Sequence, residues 1–207
     1  MKLLIAIPSL DYMDARFVEC LVKLTKKLSD DGIDYEVKIQ TGTLVHVGRD
    51  KLCRYAMGNK HFTHVLWLDA DMIFNEDLVD DLMDSGKSFV SGIAHGRRPP
   101  YFSCLFKDID LIIRFTEYPA TTFEVAGCGM ACVLMEVDVI RKVWENYKTC
   151  FLPMASAGED LAFCKRATAC GIKIWAEPSV KVGHIGHEII WPYTTEEWKK
   201  GVYGYGV

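Results

Sequence analysis

The sequence lacks any long apolar run. No segment approaches the roughly 20 apolar residues that a membrane-spanning helix needs, and the first run, Leu3 to Ile7, stops at Pro8. That run is too short for the core of a signal peptide, and no small-residue cleavage site follows it. We therefore expect a cytoplasmic protein without a transmembrane segment, in which these residues form a buried first strand.

An excess of positive charge is also missing. The 24 Lys and Arg residues are outnumbered by 28 Asp and Glu residues, which gives the 207-residue chain a net charge of -4. Surfaces that bind nucleic acids are usually basic. The composition therefore does not indicate a nucleic acid as a partner.

The chain has 8 cysteines but none of the C-x-x-C pairs that structural zinc sites use. Cys128 and Cys132 have three residues between them, and Cys164 and Cys170 have five. We therefore expect reduced cysteines, most of them buried as small apolar side chains.

No internal repeat, low-complexity tract or linker divides the chain, so a single domain over residues 1–207 is expected. Apolar patterning predicts strands and helices that largely alternate. The predicted strands are 2–7, 35–39, 64–68, 88–93, 130–136, 172–175 and 179–182. The predicted helices are 16–28, 48–57, one capped by Asn75, 138–147 and 159–169. This order predicts an α/β fold, Rossmann-like, with a mostly parallel central sheet flanked by helices.

Two aspartates, Asp69 and Asp71, directly follow the predicted strand 64–68. Residues i and i+2 of an extended strand point the same way, and ligands of open α/β sheets bind at the carboxyl ends of strands. Carboxylate oxygens suit Mg²⁺ or Mn²⁺, which would bridge them to a diphosphate. An Asp-x-Asp pattern arises about once by chance in such a chain, and Asp108-x-Asp110 is a second one. The position after a strand favours the first.

Two later segments carry further polar side chains. Glu159 and Asp160 begin a predicted helix, where acidic residues often only complement the helix dipole, although a carboxylate there can also act as a general base. His184 and His187 lie among glycines after a predicted strand, and a neutral imidazole can coordinate a divalent metal.

The order of these segments resembles that of the nucleotide-sugar glycosyltransferases of the GT-A fold, in particular their family 2-like members. The matching segments are 5–9, 47–50, 68–72, 126–130, 158–160 and 183–186. The resemblance implies one GT-A-type domain. Residues 1 to about 95 would be its nucleotide-binding half, about 96–190 its acceptor and catalytic half, and 191–207 a tail.

On the donor side, the resemblance assigns roles to five positions. Pro8, Ser9 and Arg49 would bind the nucleotide or its diphosphate. Asp69 would contact the ribose or the sugar and is also a candidate metal ligand. Asp71 would ligate Mn²⁺ or Mg²⁺.

In the second half of the chain, the resemblance assigns His184 as the second metal ligand, with His187 as the weaker alternative. Asp160 would be the catalytic base, and Glu159 would support the acceptor. The stretch Gly127, Cys128, Gly129 would be a glycine-rich loop beside the transferred sugar, although its cysteine and Asp50 after Arg49 depart from the family pattern.

The implied activity is metal-dependent transfer of a sugar from a nucleotide-diphosphate sugar, UDP- or GDP-linked, to an acceptor hydroxyl with inversion. The sequence does not identify the acceptor. A sugar-phosphate nucleotidyltransferase is one alternative, but it needs a glycine-rich loop after the first strand, and no glycine precedes Gly32. A non-catalytic relative that binds nucleotide or carbohydrate is the other. The aromatic tail, with Trp191, Tyr193 and Trp198, is expected to pack on the core, with a homo-oligomer contact left open.

Overall fold

The computed structural model describes residues 2–186 and 189–192. The helices are α1 (Ala15–Asp30), α2 (Val45–Gly58), α3 (Leu78–Asp84), α4 (Val137–Tyr147) and α5 (Glu159–Ala169). The strands are β1 (Lys2–Pro8), β2 (Asp34–Gln40), β3 (His64–Leu68), β4 (Met72–Ile73), β5 (Phe89–Ile93), β6 (Leu105–Asp108), β7 (Ile113–Arg114), β8 (Phe123–Val125), β9 (Gly127–Cys128), β10 (Cys132–Glu136), β11 (Ile174–Lys181), β12 (Gly183–Ile185) and β13 (Ile189–Ile190). Within these described residues, the structure contains no helix long and apolar enough to cross a membrane.

Seven strands form a central sheet in the order β2-β1-β3-β10-β5-β11-β8. Strands β1, β2 and β3 are parallel, and β5 and β11 run in the same direction. Strands β10 and β8 are antiparallel to their neighbours. The predicted α/β fold with a mostly parallel central sheet is therefore confirmed, and β10 from the second half of the chain lies between two strands of the first half.

The core lies on both faces of this sheet because successive strand residues point to opposite sides. On one face, Leu4 and Trp67 pack with the apolar stripes of α2, α4 and α5. On the other, Leu3 and Leu66 pack with those of α1 and α3. Four of the five residues of strand β3 are buried, and only His64 is half-buried. This is expected for a central strand covered by helices.

Two predicted local features differ from the structure. Segments 172–175 and 179–182 belong to one strand, β11, whose register with β5 shifts between Ala176 and Lys181. Pro178, which has no N–H to donate, lies in this irregular stretch. Asn75 does not cap α3: its Oδ1 accepts from the Glu76 amide, and Asp77 stands at the N-cap position without a side-chain hydrogen bond.

Two small sheets lie beside the central one and connect distant segments. Strand β12 pairs with β4, which aligns His184 with Met72. Strand β6 pairs with both β7 and β9, which aligns Phe106 with Arg114 and with Gly127. These pairings bring the late histidine next to the Asp-x-Asp segment, and a hairpin of the second half next to the glycine-rich stretch.

Candidate active site

The residues from Asp69 to Asp71 form a turn between β3 and β4. Because β3 ends at Leu68, the extended geometry from which we expected the two carboxylates to point the same way is not present. The Asp69 amide donates to the Ala131 carbonyl, and the chain then turns to enter the small sheet with β12. As a result, the two carboxylates meet different partners.

Asp71 faces His184 across the turn. The distance from His184 Nε2 to Asp71 Oδ2 is 3.2 Å. His184 Nδ1 lies 2.9 Å from the carbonyl oxygen of His95, and because a carbonyl only accepts, Nδ1 carries the hydrogen. Burial would lower the pKa of His184, but its hydrogen bond to Asp71 holds it above the ordinary value, so in the protonated form Nε2–H donates to Oδ2. In the neutral form, Nε2 has a lone pair, and a cation between Nε2 and Oδ2 would take the place of the proton. Metal-binding histidines use this arrangement, with the second nitrogen held by a backbone carbonyl.

The charges around Asp71 favour its ionised form. Burial alone would raise the pKa of Asp71, but the hydrogen bond and charge of His184, together with Arg97, hold it below its ordinary value. Arg97 Nη1 lies 2.6 Å from the same oxygen, Oδ2, and its side chain is 53% exposed. One carboxylate and one imidazole with converging lone pairs fit Mn²⁺ or Mg²⁺.

Arg49 lies beneath the site and connects two carboxylates. Its Nη2 is 2.8 Å from Asp69 Oδ1 and 3.6 Å from Asp160 Oδ1. The guanidinium also lies over the rings of Trp67 and Phe151, at 5.8 and 5.6 Å. Burial would lower the pKa of Arg49, but the charges of Asp69 and Asp160 keep it above its ordinary value. Arg49, which was predicted to bind the nucleotide, is thus a buried cation, 1% exposed, that links two segments of the site.

Asp160 lies in the first turn of α5, as predicted. Its Oδ2 accepts from the Met130 amide at 3.2 Å, whereas Oδ1 is enclosed on the side of Arg49. Burial raises the pKa of Asp160, and the positive charge of Arg49 only partly opposes that shift. A raised pKa brings a carboxylate closer to the range in which it accepts a proton efficiently.

A cavity of about 230 Å³ lies beside Asp160. Its walls are formed by Cys104, Phe106, Arg114, Gly129, Gly158, Glu159, Asp160 and Leu161. Both acidic residues at the start of α5 therefore border one pocket that opens to solvent and is large enough for a small hydroxyl-bearing group.

The glycine-rich stretch divides between the core and this cavity. Gly129 lines the cavity, but Gly127 and Cys128 are buried in β9. A Cβ atom added to Gly127 would lie 2.7 Å from Ile109 Cδ1, and the Cys128 amide lies 3.4 Å from the sulfur of Cys164. These two residues are positioned to pack the interior behind the cavity.

The remaining predicted residues lie at the ends of strands. Pro8 is buried at the end of β1, and the amide of Ser9 continues the pairing by donating to Gln40 at 2.9 Å. The Ser9 hydroxyl donates to the carbonyl of Tyr12 at 3.3 Å. His187 lies outside the described residues, as do Tyr193 and Trp198 of the predicted aromatic tail.

Sequence reasoning missed Arg97 at Asp71 and the cavity residues Phe106 and Arg114. Arg97 stands out in the sequence only as half of an adjacent arginine pair. The two hairpin residues are aligned by the pairing of β6 with β7. Because this register depends on chain pairing, no local sequence pattern indicates it.

A second group of metal-capable side chains comprises Asp50, Cys53 and Cys150, whose ligand atoms lie within 4.8 Å of one another. The Asp50 carboxylate is already occupied, since it accepts from the amides of Cys150 and Phe151 at 2.9 and 2.8 Å. Burial raises the pKa of the Cys53 thiol, although metal ligation needs the thiolate. The group therefore fits a structural role, in which Asp50 holds the segment 150–151 so that Phe151 packs against Arg49.

Neither a protein-family model nor a curated protein matches this chain. Solved structures do resemble it. A197 from STIV has a TM-score of 0.62 at 18% identity, with 94% of this chain and 97% of that one covered. The catalytic domain of Drosophila beta1,4galactosyltransferase 7, solved with xylobiose, has a TM-score of 0.52 at 12% identity, with 96% and 72% covered.

A third similar structure is GalNAc-T7 with UDP, GalNAc and Mn²⁺, which has a TM-score of 0.61 at 11% identity. The alignment covers 89% of this chain but only 43% of the GalNAc-T7 chain. At these identities the similarity shows the fold alone. The chain therefore has a GT-A-like fold, shared with the catalytic domains of glycosyltransferases.

Proposed function

We propose that this protein is a metal-dependent glycosyltransferase that transfers a sugar from a UDP- or GDP-sugar to an acceptor hydroxyl with inversion. The observation that carries the proposal is the approach of His184 Nε2 to Asp71 Oδ2, between residues 113 positions apart. It occurs at the carboxyl end of a central strand, where ligands of α/β sheets bind. The presence of UDP and Mn²⁺ in the similar GalNAc-T7 structure supports the same assignment.

On the donor side, Asp71 and His184 would hold Mn²⁺ or Mg²⁺. The bound ion would supply electrostatic stabilisation of the charge that develops on the leaving diphosphate. Asp69 is oriented by its ion pair with Arg49 and is assigned to the ribose or the sugar. Pro8 and Ser9, at the end of β1, are assigned to the nucleoside.

On the acceptor side, Asp160 would act as the base. Its Oδ1 faces Arg49, so Oδ2 is the oxygen available to a hydroxyl in the cavity. The acceptor oxygen would form its bond to the anomeric carbon as the bond to the diphosphate oxygen breaks, and the hydroxyl proton would pass to Asp160. Glu159 is assigned to support of the acceptor from the same cavity wall. Direct attack of this kind inverts the anomeric configuration.

A binding and turnover screen tests the proposal. UDP-, GDP-, CDP- and dTDP-sugars are titrated by calorimetry with and without Mn²⁺, and slow hydrolysis of each donor is followed by release of the nucleoside diphosphate. We expect one nucleotide class to bind and to be hydrolysed only with the metal. Binding without any turnover would favour a non-catalytic relative. Pyrophosphate release from a nucleoside triphosphate and a sugar 1-phosphate would favour a nucleotidyltransferase.

A further inference from the structure

The cavity beside Asp160 has one cationic wall residue, Arg114. Arg114 is half-buried in β7, and its Nη1 donates to the Ser103 carbonyl at 2.6 Å. The guanidinium lies 4.3 Å from the ring centre of Phe106 and 5.6 Å from that of Phe102. These contacts fix the plane of the guanidinium at the cavity wall.

The charge of Arg114 is not neutralised by a neighbouring carboxylate. Among residues 2–186 and 189–192, the only hydrogen bond of its guanidinium is the one to Ser103, and none of their carboxylates forms an ion pair with it within 4.0 Å. The nearby base, Asp160, already faces Arg49. A guanidinium has five N–H donors, so most of those of Arg114 remain available to a ligand.

We propose that this cavity binds the acceptor, and that the acceptor carries a phosphate or carboxylate group that Arg114 holds while Asp160 meets its hydroxyl. This inference rests on the proposed function, because it identifies the class of acceptor used by the same site. Arg114 suits the purpose because a guanidinium pairs with such oxyanions through parallel hydrogen bonds. The acceptor is accordingly an anionic hydroxyl compound and not a neutral sugar.

The anion can belong to a soluble compound or to a lipid headgroup. The hairpin that carries Arg114 exposes apolar side chains at its tip, with Leu111 72% and Ile112 60% exposed. Phe102, which lies over the Arg114 guanidinium, is 58% exposed. The two sources share one recognition chemistry, and separate arms of the experiment distinguish them.

The soluble arm uses glycerol 3-phosphate, glycerate and glycerol as probes, without divalent metal so that the donor carboxylates repel anions. Binding is measured by calorimetry and by the shift of the Arg114 side-chain Nε–H signal in the ¹H–¹⁵N spectrum of the unmodified protein. We expect at least one anionic probe to bind and to move that signal, and glycerol to do neither. Arg114→Gln should weaken binding about tenfold or more, and Arg114→Lys should weaken it less.

Lys107→Gln is the matched control, since Lys107 is an exposed cation of the same hairpin that lies over Phe115 and not at the cavity. It should bind the probes as the wild type does. Equal binding by Arg114→Gln and the wild type, or a loss that follows Arg97→Gln instead, would overturn the inference. Because the spectral measurement uses unmodified protein, an Arg114 variant that fails to fold does not prevent the test.

The lipid arm compares vesicles that contain phosphatidic acid with vesicles of phosphatidylcholine alone, by co-sedimentation. Binding that needs both phosphatidic acid and Arg114 would identify a lipid headgroup as the source, whereas binding of the soluble probes alone would identify a free oxyanion. Absence of Arg114-dependent binding in both arms overturns the inference. The Mn²⁺-dependent donor screen is a separate measurement, so failure of the transferase proposal and failure of the anion proposal have different signatures.

Discussion

Arg49 Nη2 lies 2.8 Å from Oδ1 of Asp69, and the Arg49 side chain is only 2% exposed. The same nitrogen lies 3.6 Å from Asp160 Oδ1, so one buried cation compensates two carboxylates from distant parts of the chain. Removal of one partner from a buried ion pair leaves an uncompensated charge in the interior, which is much more costly than the pair itself. Arg49 therefore governs both the stability of the fold and the geometry of the proposed site.

Replacement of this cation should destabilise the protein strongly. We expect Arg49→Met to lower the free energy of unfolding by about 3–5 kcal/mol, because Asp69 and Asp160 lose their counter-charge. Urea unfolding monitored by circular dichroism measures the change. Arg54→Met is the matched control, since Arg54 is an exposed arginine of the same helix, and it should cost about 0.5 kcal/mol or less.

The size of this effect should depend on Asp69. In an Asp69→Asn background, one of the two carboxylates is neutral, so Arg49→Met should cost less there than in the wild type. Equal costs in the two backgrounds would contradict an energetic coupling between Arg49 and Asp69.

Metal binding should depend on Asp71 and His184. We expect Asp71→Asn and His184→Gln each to weaken Mn²⁺ binding about a hundredfold, since loss of a mere supporting residue around a metal costs about 10- to 100-fold. Calorimetric titration of Mn²⁺ in the presence of the nucleoside diphosphate measures the affinity. Asp110→Asn removes a carboxylate from the second Asp-x-Asp pattern, which is exposed and paired with Lys165, and should leave the affinity unchanged.

Loss of the proposed base should slow transfer without abolishing donor binding. We expect Asp160→Asn to lower the rate of sugar transfer by about 100- to 10,000-fold, while the affinity for the Mn²⁺–nucleotide complex changes little. Asp138→Asn is the matched control, because Asp138 is an exposed acidic residue in the first turn of α4. A transfer rate that is equal in both variants would remove Asp160 from the base role.

The pH dependence of transfer should reflect the environment of Asp160. Burial raises its pKa above the ordinary carboxyl value of 3.8. Because the base acts in its ionised form, the rate should fall as the pH drops through this raised pKa. The acid limb of the pH–rate profile should therefore lie above pH 3.8, and it should move further upward in Arg49→Lys, because the shorter side chain holds its charge farther from Asp160. An acid limb of the transfer rate that coincides with that of donor binding would contradict the assignment to Asp160.

Local sequence patterns were sufficient to predict much of the secondary structure. Helix 159–169 is confirmed at the same bounds, and strand 64–68 is confirmed as the central strand that precedes the two aspartates. Both predictions rest on local signals, namely the pattern of apolar residues and, for the helix, the glycine that follows it. The antiparallel insertion of β10 between β3 and β5 was not predicted, because strand order is decided by pairing between distant segments.

The candidate site was predictable to a similar degree. The order of short motifs indicated Asp71, Asp160 and His184, and the structure brings Asp71 and His184 together. The burial of Arg49 was not predictable, since it depends on the packing of Trp67 and Phe151 around one guanidinium. Nor could the cavity position of Arg114 be read from a local pattern, because the register of a short hairpin determines it.

The glycine-rich stretch offers a final test that separates packing from ligand contact. A Cβ atom at position 127 would lie 2.7 Å from Ile109 Cδ1 and 3.3 Å from Cys164 Cβ, so Gly127→Ala should destabilise the protein by about 1–3 kcal/mol. Gly58→Ala, where no atom lies within 4 Å of the added Cβ, should be neutral or stabilise by up to about 1 kcal/mol. Urea unfolding compares the two. Ile109→Val removes the nearest atom and should partly restore the stability of Gly127→Ala, whereas failure of that rescue would show that another contact makes residue 127 a glycine.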